Sequence, residues 1–226
     1  MSEKKQLNSS RYGILGGTFD PIHLGHLRLA EEVAENLTLE RVYLVPSAIP
    51  PHKSRRPITS FDDRLAMTRM GAEASPLLEA LDLEKHLEGY SYSIHTLKAF
   101  HRMYPGPLEL FFILGLDAFL EIKTWKEYDR LFEYANFVVI RRPGTSSSSL
   151  DTLLPSLSIT FEREGETVFR APTGNRLIYM EVTLMDISST EIRERVSRGK
   201  SIRFLVPSKV RDYILAKGLY GHYENT

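Results

Sequence analysis

The sequence predicts an α/β fold, a doubly wound parallel sheet with helices on both faces, and three observations carry that prediction. Apolar stretches of strand length alternate with segments of helical period along most of the chain. The strongest strand candidate, Leu108 to Leu114, is an apolar run ending at Gly115, as expected for a central strand buried on both faces. The first strand candidate passes directly through Gly16-Gly17 into a helix, so something anionic can approach the backbone there.

The elements follow in order. Tyr12 to Leu15 reads as a strand, and Leu24 to Asn36 as a helix with Leu24, Leu27, Ala30, Val33, Ala34 and Leu37 on one face. Val42 to Val45 is the next strand. Pro46, Pro50, Pro51 and Pro57 then break up a basic loop that holds Lys53, Arg55 and Arg56. Asp62 to Ala74 is a helix, Leu77 to Leu83 a short strand, and Tyr92 to Tyr104 a helix capped by Ser91 or Ser93. After the central strand, Trp125 to Tyr134 reads as helical and Phe137 to Ile140 as a strand, before Thr145 to Ser149 forms a surface loop. Ser158 to Arg163 and Thr167 to Arg170 suggest a hairpin around Glu164-Gly165. Leu177 to Val182 is the last strand. Thr190 to Ser197 and Ser208 to Ala216 are helices stopped by Gly199 and Gly218.

This organisation predicts one Rossmann-like domain over 11–220, with a small surface insertion at 145–175, C-terminal helices, and polar tails at 1–10 and 221–226. A chain of 226 residues, 42% hydrophobic, is long enough for one sizeable core. Its 29 basic and 29 acidic residues cancel, so no overall field draws it to nucleic acid or an anionic membrane. Any anion must be held locally. The lack of cysteine excludes disulfides, thiolate zinc sites and a cysteine nucleophile. Met1 to Ser10 has no apolar signal core, and no run approaches the ~18 apolar residues of a membrane span, so a cytoplasmic protein is expected. The sequence leaves oligomeric state open, a homo-oligomer included.

Two constellations carry chemistry. The first is Gly16-Gly17-Thr18-Phe19-Asp20-Pro21-Ile22-His23-Leu24-Gly25-His26, a strand end, a glycine turn and a helix start. Unpaired N–H groups and the helix dipole suit polyphosphate, and His23 and His26, three apart, share one face of the first turn. A zinc site needs three or four ligands, and no neighbouring side chain completes a set, so no metal site is assigned. The second is Ile187-Ser188-Ser189-Thr190-Glu191-Ile192-Arg193, with Ser188 and Glu191 at capping-box spacing and Arg193 one turn in. Taken alone, a plain helix start is the better explanation, but it follows the last strand, so its N–H groups point toward the same sheet edge.

The eleven-residue run resembles the H-x-G-H signature of the nucleotidyltransferase superfamily, and 187–193 resembles the I-S-x-T-x-x-R motif paired with it. The resemblance implies that Gly16, Gly17, Thr18, Phe19, His23, His26, Ile187, Ser188, Ser189, Thr190 and Arg193 bind ATP. Class I aminoacyl-tRNA synthetases share a similar element, but the chain is short for one and lacks a lysine-rich second signature. Pro50-Pro51-His52-Lys53, Phe112-Ile113-Leu114-Gly115-Leu116-Asp117, Thr124-Trp125 and Arg141-Arg142-Pro143-Gly144 further resemble the bacterial nicotinate-nucleotide adenylyltransferases. That family transfers AMP from ATP to nicotinate mononucleotide, with Mg²⁺, in NAD biosynthesis. By resemblance, Gly115 and Asp117 contact the nucleotide, and Gly17, Thr18, Lys53, Tyr92, Ser93, Trp125, Lys126 and Arg142 take the acceptor. Trp125 would stack on the ring, while backbone N–H groups at Ser93 and Lys126 receive its carboxylate. The family commonly has threonine in place of Ser93 and tyrosine or another residue in place of Lys126, changes that backbone recognition survives.

His23, His26, Lys53 and Arg193 are therefore the expected catalytic groups. They would stabilise pyrophosphate as it leaves in a direct in-line displacement. Rival readings are a sister enzyme using the amide mononucleotide or phosphopantetheine, and a non-catalytic nucleotide sensor. Phosphopantetheine gives Trp125 no ring to stack on.

Overall fold

A computed structural model describes residues 9–50, 58–141, 148–183 and 185–221. Strands β1 (Ser10–Gly17), β2 (Arg41–Pro46), β3 (Leu78–Ala80), β4 (Leu108–Gly115), β5 (Asn136–Arg141), β6 (Glu162–Arg163), β7 (Val168–Arg170) and β8 (Arg176–Glu181) form one sheet in the order β3-β2-β1-β4-β5-β8-β7-β6. The six strands from β3 to β8 in that order are parallel. β7 is antiparallel to β8, and β6 to β7. The expected hairpin thus exists, shorter than its sequence pattern, and extends the main sheet as an antiparallel edge.

Helices α1 (Leu24–Leu37), α2 (Phe61–Ala72), α6 (Ser189–Ser197) and α7 (Ser208–Lys217) cover one face. Leu27, Val33, Met67, Ile192, Val210 and Ile214 pack there with Val42, Leu44, Phe111 and Ile113 from the strands. Helices α3 (Ser93–Met103), α4 (Leu116–Leu120) and α5 (Ser148–Leu153) cover the other, where Leu97, Phe100, Phe119 and Leu150 meet Ile14, Phe112, Leu114 and Phe137. Alternate residues of β4 serve opposite cores, so the apolar run at 110–114 is satisfied only in the middle of a covered sheet.

Several local expectations change. Trp125 to Tyr134 is not an α-helix. Glu127 adopts a left-handed backbone (φ 51°), which an α-helix cannot pass, and only a 3₁₀ segment, Tyr128–Glu133, follows. Helix α5 includes Ser148 and Ser149 of the expected surface loop, with Leu150 buried in the core. Helix α3 is capped by neither Ser91 nor Ser93: Tyr92 holds the N-cap position without a side-chain hydrogen bond. Ser91 Oγ instead accepts from the Ile49 N–H at 3.0 Å.

The strand order reverses between β1 and β4. Successive crossovers leave β1 toward β2 and β3 on one side and β4 toward β5 and β8 on the other, opening a crevice at the two carboxyl ends. Gly16-Gly17 and Gly115 end the strands that border it.

Candidate active site

From Gly17 the chain reaches α1 through a constrained turn. A Cβ on Gly17 would lie 2.8 Å from Cε1 of Phe19, so the aromatic ring fills space that only glycine leaves free. Phe19 itself has φ 49°, an uncommon conformation for a bulky residue. Its ring is buried and meets His26 edge-on, with centroids 5.1 Å apart.

His23 does not lie within the first turn of α1, as the spacing suggests; it caps the helix. Its Nδ1 accepts from the His26 N–H at 3.4 Å, and Nδ1 of His26 accepts from the His23 N–H at 3.3 Å. The two histidines reproduce the reciprocal logic of a capping box. Their rings stack, with centroids 3.6 Å apart and 24° between planes. With both Nδ1 atoms accepting, each neutral ring carries its proton on Nε2, giving two N–H donors at the helix start. Burial pushes His23 down to about 4. Burial, and then the charge of His23, holds His26 well below the ordinary histidine range. The free site therefore presents neutral donors at pH 7, and an oxyanion placed against them would draw their pKa values back up.

The second motif is physically tied to this turn. Ser188 caps α6, its Oγ accepting from the Glu191 N–H at 3.1 Å. The other half of the expected capping box is absent, because Glu191 reaches forward to Arg195 at 3.4 Å. Ser189 Oγ donates to the Pro21 carbonyl at 2.8 Å, and Arg193 donates to the Asp20 carbonyl at 2.7 Å and to Thr190 Oγ1 at 3.0 Å. From α1, buried Glu32 accepts from the Thr183 N–H at 2.6 Å and fixes the chain leading toward α6. The starts of two helices are thereby held together at one edge of the sheet.

A cavity of about 240 Å³ opens beyond β4, lined by Ser91, Tyr92, Ser93, Ala118, Glu121, Thr124, Trp125 and Lys126. It gathers Tyr92, Ser93, Trp125 and Lys126, which are up to thirty-four residues apart in sequence. Trp125 is half-buried and braced edge-on by Phe112, at 6.3 Å and 87°. The Lys126 ammonium sits 4.9 Å over the Tyr92 ring. Since α3 has no side-chain cap, the Ser93 N–H has no partner among the described residues and is available to an anion. Phe112 also lies beside the glycine turn: a Cβ on Gly16 would stand 4.0 Å from its Cζ. The pocket and the turn are neighbours across one ring.

Asp117 lies in α4, just past the end of β4, and is exposed to solvent. Lys53 and Arg142, both expected to contact phosphate, fall outside the described residues. The chain leading toward Lys53 is anchored, with Ser47 N–H on the Gly17 carbonyl at 2.8 Å and Ala48 N–H on buried Glu84 at 3.2 Å. Sequence reasoning missed Asp20, Arg64 and Tyr220. Asp20 is buried, accepting from Tyr220 Oη at 2.7 Å and from the Thr59 N–H at 3.3 Å. Its only available signal was its place inside the first motif.

Neutral imidazole donors and two helix starts, converging at the switch point beside a pocket walled by an indole, define a nucleotidyltransferase. The comparisons agree and go further. The cytidylyltransferase-like family model matches residues 14–195. The chain is 48% identical to a probable nicotinate-nucleotide adenylyltransferase of Desulfatibacillum aliphaticivorans, over 93% of this chain and 99% of the relative. It is 42% identical to one of Syntrophotalea carbinolica, over 96% and 100%. The chain belongs to the cytidylyltransferase-like family and, within it, to the nicotinate-nucleotide adenylyltransferases. The nicotinic acid mononucleotide adenylyltransferase of Plasmodium falciparum, solved in complex with NaAD, shares the fold with a TM-score of 0.70 at 21% identity, over 93% of this chain and 97% of that one.

Proposed function

We infer that the chain transfers the adenylyl group of ATP to nicotinate mononucleotide, releasing pyrophosphate and nicotinate adenine dinucleotide as a step of NAD biosynthesis. The observation that carries this reading is the stacked His23–His26 pair at the start of α1, tied to α6 and adjoining the Trp125 pocket. A phosphate oxygen of the mononucleotide attacks the α-phosphorus of ATP in line, the bond to the β-phosphate bridging oxygen breaks, and pyrophosphate leaves. The attacking phosphate needs no deprotonation by the protein, so the residues align and neutralise.

In this reading the Nε2–H groups of His23 and His26 donate to phosphate oxygens. Ser188, Ser189, Thr190 and Arg193 hold the β- and γ-phosphates, and Gly115 and Asp117 approach the nucleoside. Trp125 stacks on the pyridine ring, while backbone N–H groups at Ser93 and Lys126 meet its carboxylate. Lys53 and Arg142 take phosphate roles on resemblance alone. Among the described residues no three His, Asp or Glu side chains gather into a metal cage. Mg²⁺ bound by the triphosphate and water would offset charge on the phosphates. No helix among the described residues is long and apolar enough to cross a membrane, and we place the enzyme in the cytoplasm.

The acid is favoured over the amide because oriented N–H donors with Lys126 nearby reward a carboxylate. Comparing kcat/KM for the acid and amide mononucleotides tests the assignment. The acid should be preferred by at least ~10-fold, on the scale of one charge-assisted contact, and preference for the amide would reassign the acceptor.

A further inference from the structure

Arg64, on α2, is 2% exposed and is among the largest fully buried side chains. Its Nε donates to the Thr59 carbonyl at 3.0 Å and its Nη1 to the Thr18 carbonyl at 2.7 Å, forty-six residues away. The guanidinium also lies 5.5 Å from the centroid of the Phe61 ring. Among the described residues no carboxylate forms an ion pair with it, and the two buried carboxylates near it are engaged elsewhere, Asp20 by Tyr220 and Thr59 and Glu84 by the Ala48 N–H and Thr96 Oγ1. Burying a cation without a paired anion is costly, and a neutral donor would bridge two carbonyls at lower cost. A charge kept there calls for an anion. Thr18, which the guanidinium touches, belongs to the turn where the phosphates are placed.

We propose that Arg64 is a positioning residue of the phosphate site, holding the strained Thr18–Phe19 turn in shape and supplying it with a fixed positive charge from beneath. Two features connect it to the ligand. The left-handed backbone of Phe19 persists only if its surroundings over-determine it, and the Arg64 bond to the Thr18 carbonyl fixes one side of that peptide unit. The same bond polarises the Thr18–Phe19 peptide. Its Phe19 N–H has no partner among the described residues and becomes a better donor to an oxyanion. The second bond, to Thr59, holds the chain that emerges from 51–57 against the same turn. Arg64 thus joins the two sides of the site without itself being assigned a substrate contact.

The proposal rests on the phosphate-site reading, and the test separates the two. Pyrophosphate affinity, kcat, KM for ATP and thermal stability are measured for the parent, Arg64→Met and Arg64→Lys. With Met, which preserves apolar bulk and removes the charge, pyrophosphate Kd should rise about 10-fold and kcat fall about 100-fold in folded protein. With Lys, Kd should stay within about 3-fold while kcat still falls at least 10-fold, since one ammonium cannot hold both carbonyls in the geometry of the planar fork. A role confined to stability would lower the melting temperature and leave the Kd of the folded fraction unchanged. A folded Arg64→Met that binds pyrophosphate as the parent does overturns the proposal. If Met does not fold, Lys decides, and parental kcat in Arg64→Lys overturns it. A parent that binds no pyrophosphate removes the phosphate-site reading and this proposal together.

Discussion

Gly25 lies between the paired histidines, and Gly25→Ala probes how finely their geometry matters. The new Cβ would stand 3.1 Å from Nδ1 and 3.2 Å from Cε1 of His23, and 3.5 Å from the Met185 carbonyl. The first two distances are tighter than ordinary contact, so the His23 ring must move by a few tenths of an ångström. It has little room to do so, being stacked on His26 at 3.6 Å and accepting a hydrogen bond at the same Nδ1. Overpacking of this kind costs about 1–3 kcal/mol, and replacing a helical glycine by alanine returns up to about 1 kcal/mol. Net stability should fall by no more than about 3 kcal/mol, leaving the variant folded. The displaced Nε2 donor should matter more, because small misplacements of aligned groups can cost on the order of 100-fold in rate. Steady-state pyrophosphate release at saturating substrates, beside a urea melt, measures both effects. A folded Gly25→Ala with kcat within 3-fold of the parent would show that the ring's placement is not what the site depends on.

Two other perturbations address separate parts of the account. His23 titrates near 4 in the fold against about 6.5 unfolded, so the unfolded chain binds more protons between these values. The stability linked to His23 is therefore complete above about pH 6.5 and is lost as pH falls toward 4. At pH 5 the loss should be about 2 kcal/mol relative to pH 8, measured by urea unfolding, and His26 is displaced in the same direction. His23→Asn should flatten that dependence; an unchanged slope would contradict the buried neutral imidazole. Trp125→Leu removes the wall of the pocket, and at about 0.5–1.5 kcal/mol for an aromatic contact the KM for nicotinate mononucleotide should rise about 2- to 10-fold. KM for ATP should stay near the parent value, and equal rises in both would deny the pocket its separate role.

The features legible in the sequence are the local ones. The glycine turn, the start of α1 and the capped start of α6 are short-range patterns, and the crossover order follows once strands and helices alternate. What escaped notice depends on distant partners. Nothing local marks Arg64 as buried, since an arginine in a helical segment ordinarily reads as a surface charge. Its burial comes from the carbonyls of Thr18 and Thr59. Tyr220 reaches Asp20 across two hundred residues, a contact no window contains. The helix expected over 125–134 failed at Glu127. Its carboxylate is drawn to Lys98 of α3 and to Arg130, each at 3.0 Å, while its backbone turns left-handed. Resemblance supplied the residues of the acceptor pocket, and Ala118 and Glu121 emerged only when α4 folded across the end of β4.

The most direct test of the central claim mixes the protein with ATP, Mg²⁺ and nicotinate mononucleotide, following pyrophosphate and the dinucleotide together. One pyrophosphate is expected per nicotinate adenine dinucleotide, neither appearing without the acceptor, with a fall on the order of 100-fold in the rate for folded His26→Ala. ATP binding without pyrophosphate release, with the acid, the amide or phosphopantetheine as acceptor, would contradict it and make the protein a nucleotide sensor on an enzyme's fold.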